Sequence, residues 1–132
     1  MGEQETRAAV DKMQQALATK DFRAALDLYE EDAVQEWPQS GERIRGKKNI
    51  AAIDENYPGL PEMELRRVLV SGDVAIAELK LNYGGKPVHG VTIYELRNGK
   101  ILRETGYFAD PFEAPEWRKQ WVEKMEPAGA AT

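Results

Sequence analysis

Asn98-Gly99 is the dipeptide that most constrains this chain. Both residues tolerate the positive φ of a two-residue hairpin turn. They lie between two strand-like runs, Val88 to Arg97 and Lys100 to Ala109. A tight turn fixes an antiparallel pair and its register, and the two-residue period of a strand then fixes which side chains share a face. The same punctuation recurs upstream. Met63 to Val70 and Val74 to Tyr83 are parted by Ser71-Gly72-Asp73, and Gly84-Gly85 precedes Val88. Four strands in succession predict a largely antiparallel meander.

The first half of the chain reads differently. From Glu3 to Ala18, Val10, Met13, Ala16 and Leu17 recur at helical spacing and predict an amphipathic helix. Asp21 is placed to cap a second helix, accepting from a free backbone N–H, and Phe22, Leu26 and Tyr29 continue its apolar stripe. Ala33 to Trp37 reads as an edge strand that stops at Pro38, which has no N–H for a ladder. Lys47 to Asn56 predicts a third helix with Ile50 and Ile53 inward, ended by Pro58-Gly59-Leu60-Pro61. A last helix starts near Ala114-Pro115. It sets Trp117, Trp121 and Met125 at i+4 spacing with Val122 beside them, as a core lid, a dimer contact or a ligand-stacking box. Helices followed by a meander give an α+β fold with the helices on one face. The expectation is a single domain over residues 1–126 and a disordered tail at 127–132.

Composition removes several functional classes. The 132 residues suit one domain that buries roughly two thirds of its extended surface. No apolar run approaches the ~18 residues of a membrane span, so no membrane partner is expected. MGEQETRAAV carries acids and amides where a secretory signal needs a basic start and an apolar centre; the expected location is cytoplasmic. Zero cysteines exclude disulfides, thiolate nucleophiles and cysteine-based metal sites. The net charge of −5, with scattered Lys and Arg, argues against nucleic acid. The densest basic group, Arg43, Arg45, Lys47 and Lys48, is interleaved with Glu42 and Gly46 and reads as a solvated face. One histidine leaves carboxylates to build any metal site, and no metal or cofactor is expected.

LYEEDAVQEWPQSGERIRG at 28–46 and NGKILRETGYF at 98–108, in this order of elements, resemble the cone-shaped superfamily of nuclear transport factor 2, ketosteroid isomerase and SnoaL-like polyketide cyclases. The resemblance covers about 110 residues. It implies a curved antiparallel sheet wrapped around N-terminal helices, a conical cavity and a homodimer; enzymes, carriers and protein-binding modules all use this fold. The ketosteroid isomerase tyrosine, base and second acid correspond to Met13, Trp37 and Thr92, none of which has the needed chemistry. The limonene-epoxide hydrolase positions correspond to Leu79, Leu81 and Gly106, so the water-activating system is absent.

Those correspondences orient the strands so that Leu79, Leu81, Tyr83, Gly90, Thr92, Tyr94, Leu102, Glu104, Gly106 and Phe108 face the cavity. Trp37 and Tyr57 are placed to close its mouth, and Met13 to meet the ligand from the first helix. Glu104 is the first carboxylate to examine, because an apolar cone favours its neutral form and suits it to acid/base work with Tyr94. His89 alternates away from that face, and Glu36 and Glu78 point outward. The expected function is binding of a small, largely apolar organic molecule. An isomerase, cyclase or dehydratase using Glu104 and Tyr94 is the alternative, and a dimeric protein-interaction module the third reading.

Overall fold

The computed structural model describes residues 2–125. Three helices, α1 (Glu3–Ala18), α2 (Phe22–Leu26) and α3 (Gly46–Asn56), lie against a curved mixed sheet of six strands that is not closed into a barrel. The strands are β1 (Tyr29–Trp37), β2 (Glu42–Arg45), β3 (Glu62–Ser71), β4 (Val74–Tyr83), β5 (Lys86–Arg97) and β6 (Lys100–Ala109). Their order across the sheet is β2-β1-β6-β5-β4-β3. The last four form the antiparallel meander; Asn98 and Gly99 take φ of 53° and 79° at its final turn.

α1 buries Val10 and Met13 completely. Its first turn is tied to the β3–β4 turn by Thr6 Oγ1, which donates to the Gly72 carbonyl at 2.7 Å. Asp21 caps α2, its carboxylate accepting from the Ala24 N–H at 3.1 Å. The helix ends at Leu26, and Tyr29 opens β1 instead of extending the helical stripe. Long-range pairing decides this: the Ile101 N–H donates to the Leu28 carbonyl at 2.8 Å, and Tyr29 is registered with Ile101.

The segment around 33–37 is no edge strand. β1 starts earlier and pairs with β6 in parallel on one side, making the sheet mixed, and with β2 antiparallel on the other. Pro38 sits in the turn between β1 and β2, where its missing N–H costs no ladder bond. Short, charged β2 is the true edge. In α3, Ile50 is buried as expected, whereas Ile53 is 37% exposed. The face of α3 that meets the sheet follows the i, i+4 pair Ile50 and Asp54.

Two further expectations are corrected. Register along β5–β6 moves from Glu95↔Arg103 to Leu96↔Ile101, leaving Leu102 as the extra residue of a bulge. Ile101 is therefore the fully buried side chain and Leu102 only half-buried. The C-terminal helix is a 3-10 helix, Glu116–Trp121, with Trp117 and Trp121 72% and 71% exposed and Met125 85% exposed. An apolar stripe without a core to receive it lacks the packing that sustains an α-helix. Residues 127–132, expected as a tail, lie outside the described residues.

Candidate functional site

A cavity of about 140 Å³ opens between the concave face of the sheet and α2 and α3. Its floor follows from strand register. Gln35 of β1, Glu104 of β6 and Tyr94 of β5 form one cross-strand row, and the next row brings Thr92 opposite Gly106. Leu79 and Leu81 continue the wall along β4, while Trp37, Phe108, Tyr57 and Tyr83 border the cavity with aromatic rings. Met13 is not part of the wall; it is fully buried in the core beneath α1. α1 presents Leu17 to the cavity instead, one turn further along.

Gly106 carries the aromatic packing. A Cβ there would stand 3.1 Å from Phe108 Cε2 and 3.4 Å from Trp37 Cδ1. The bare backbone lets both rings lie over the strand, in a place with little room for a carboxylate.

Glu104 accepts a short hydrogen bond from the Tyr29 hydroxyl, and Gln35 Nε2 donates to the same hydroxyl at 3.0 Å. Gln14 Nε2 donates to the Tyr94 hydroxyl at 3.0 Å. Among the described residues, no acceptor engages the Tyr94 proton and no second partner engages the Glu104 carboxylate. Burial pushes Glu104 up to about 7; the Tyr29 hydrogen bond opposes that shift and the Asp54 charge adds to it. The side chain keeps some accessible surface, but that surface opens on the cavity and gives the charge little bulk solvation. Tyr29 and Tyr94 are both held well above the usual phenol range, first by burial and then by Glu104.

Asp54 borders the same cavity from α3. Burial, then the neighbouring Glu55, raises it to about 6. The Tyr57 and Tyr83 hydroxyls bond each other at 2.8 Å across the mouth. Lys20, also at the rim, is paired with Glu62 at 2.9 Å. Glu36 turns outward to Arg43 and Arg103, at 2.7 and 2.5 Å, and His89 is exposed. Among the described residues no group of three or more acidic or histidine side chains could hold a metal ion.

Tyr29, Gln35 and Asp54 are site-bordering residues that the sequence reading missed. Tyr29 was absorbed into a helical stripe. Asp54 had a legible signal, four residues after the buried Ile50 on the inward face of α3.

An open mixed sheet with helices across its concave face and a carboxylate on the cavity floor defines an α+β cone with a small-molecule-sized pocket. The chain belongs to the SnoaL-like domain family, whose model matches residues 10–104. It is similar to a nuclear transport factor 2-like protein of unknown function from Burkholderia xenovorans, with 46% identity over 94% of this chain and 98% of that one and a TM-score of 0.84. A candidate ketosteroid isomerase from Kribbella flavida is 28% identical over 96% of this chain and 93% of that one, with a TM-score of 0.89. An epoxide hydrolase from M. tuberculosis is 25% identical over 80% and 84% of the two chains, with a TM-score of 0.67. No curated protein matches.

Proposed function

We propose that the protein binds a small, largely apolar organic molecule in the cavity and moves a proton on it with Glu104. The observation that carries this reading is a carboxylate on the floor of a largely apolar-walled cavity, oriented by Tyr29 and raised to about 7. Such a group divides between acid and base near neutral pH, where proton transfer is most effective. The Tyr94 hydroxyl, fixed by Gln14, supplies a donor to a ligand oxygen on which negative charge develops. Tyr29 and Gln35 act through Glu104 as positioning residues. The volume of about 140 Å³ is close to that of an engineered cavity of about 150 Å³ that holds benzene, which suits a one-ring molecule. Isomerase and epoxide-hydrolase names among the similar structures support small-molecule chemistry in this fold. Met13, Trp37 and Thr92 make the ketosteroid reaction itself unsuitable.

The test uses phenylacetone, a one-ring ketone with an acidic C–H, in deuterated water. Deuterium incorporation above background with the native protein, lost in Glu104→Gln, is the expected result. Equal rates for the two proteins would remove Glu104 as the base and leave a binding protein.

The dimer is a second proposal, with another copy of this chain as the occupant of the convex sheet face. Register aligns Leu69, Ile76 and Ile93 in one apolar row across β3, β4 and β5, and Leu69 and Ile76 are 52% and 37% exposed. Such a row is self-complementary about a two-fold axis. Sedimentation at tens of micromolar, ample for a stable interface, should give a dimer; monomer alone would overturn the proposal.

A further inference from the structure

Asp54 has no evident role among the described residues. It is half-buried on α3 and, among the described residues, forms neither a hydrogen bond nor an ion pair, although removal from water penalises its charge. The groups around it add no relief. Glu55 precedes Tyr57 on the same segment, and Glu104 faces it across the cavity, so both neighbouring charges have its own sign. Arg23 of α2 flanks the outer side of Asp54 without pairing to it. Among the described residues bordering the cavity the one cation, Lys20, is committed to Glu62. The remaining polar groups nearby are the hydroxyls of Tyr29, Tyr57, Tyr83, Tyr94 and Thr92 and the Gln35 amide, none of which neutralises an anion.

Among the described residues the cavity thus joins two carboxylates to aromatic walls, and its one cation is paired with Glu62 at the exposed rim. This combination repels anions, holds neutral molecules by their apolar bodies and favours cations. An ammonium group gains from both a carboxylate and the negative face of a ring, more so where water is excluded. Tyr57, three residues after Asp54 and anchored through Tyr83, supplies one ring at the mouth, and Trp37 supplies another.

We propose that the cavity takes an organic ammonium ion of one-ring size, its charge paired with Asp54 and its body packed against Trp37 and Tyr57. This assignment rests on the pocket reading above and deepens it. Asp54 holds the charged end, and Glu104 remains for the reacting end. A bound cation favours the ionised form of each carboxylate, so affinity should rise with pH as Asp54 and then Glu104 lose their protons.

Three probes with the same ring separate the possibilities: benzylammonium, benzyl alcohol and benzoate, titrated calorimetrically into the native protein. At about pH 8 benzylammonium should bind roughly tenfold tighter than the alcohol, and benzoate weakest, as expected for one partly screened charge pair. The advantage should shrink as pH falls to about 5, while alcohol binding stays constant. Asp54→Asn should remove most of the benzylammonium advantage at about pH 8, leaving the smaller part that ionised Glu104 supplies, while an unchanged far-ultraviolet circular dichroism spectrum reports that the variant is folded. A preference that Asp54→Asn leaves undiminished, or an alcohol that binds as tightly as the ammonium, overturns this assignment and leaves the pocket standing. Failure of all three probes to bind overturns the pocket reading, and this assignment with it.

Discussion

On the concave face of the sheet Ala75, Ala77, Leu79 and Tyr94 are at most 3% exposed, whereas on the convex face Leu69, Ile76 and Tyr107 are 52%, 37% and 42% exposed. The same strands build both faces, the concave one closely packed and apolar, the convex one mixing its apolar row with the charged Glu78, Glu95 and Arg103. An antiparallel sheet with one face in water ordinarily alternates apolar with polar. The concave side is covered by the chain's own helices, and what they leave is a cavity with polar groups fixed on its floor. The convex side and the aromatic segment from Phe112 to Met125 are left uncovered by the described residues. On the reading proposed above, the concave face takes a small molecule and the convex face a second subunit.

The sharpest way to break this contrast is to truncate one tyrosine on each face. Tyr94→Ala should cost about 3–5 kcal/mol in denaturant unfolding, because it empties a packed site and orphans Gln14. Tyr107→Ala should cost less than about 1 kcal/mol in the monomer. Equal costs would show that the convex face is already packed. Next in size, Ile76→Lys should weaken self-association about 100-fold by burying an unpaired charge in the proposed interface, read by sedimentation across a dilution series. Unchanged association would move the interface elsewhere.

The third effect is confined to the cavity. Glu104 holds its proton more tightly when folded, at about 7 against 4.5, so stability should fall as pH rises between those values and level off above them. The contribution is up to about 3 kcal/mol. Glu104→Gln should flatten that slope above about pH 6, where Asp54 no longer contributes, and a slope retained there would assign it to other groups. The smallest effect is Gly99→Val, which places a β-branched residue at a φ of 79° and should cost about 1–2 kcal/mol. An unchanged melting temperature would contradict the two-residue hairpin.

Much of the fold was legible because its signals are local. The Asn98-Gly99 turn, the β4 pattern and the α1 stripe each specify their element without outside help. Failures occurred where distant partners decide. Tyr29 continues a helical stripe in sequence, yet β6 recruits it into β1, and with it the hydroxyl that holds Glu104. Trp117, Trp121 and Met125 have helical spacing but remain exposed, with no surface among the described residues on which to settle. The bulge at Leu102 moves Ile101 into the core and is invisible to strict alternation. The inward face of β4 could be read from alternation, whereas Gln35 came to the floor only through parallel pairing with β6. Asp54 shares the inward face of α3 with Ile50, but the apolar Ile53 beside it carries the stronger inward signal in the sequence.

The central claim is that Glu104 is an ionisable group built into a ligand cavity, and a carboxyl titration tests it most directly. Carbon NMR of protein labelled at glutamate side chains, with the signal assigned by Glu104→Gln, follows that one group through the pH range. The account predicts a midpoint at about 7 that moves downward when benzylammonium is added. A midpoint near the ordinary 4.5, unmoved by the probe, would put Glu104 in contact with bulk water and contradict the account.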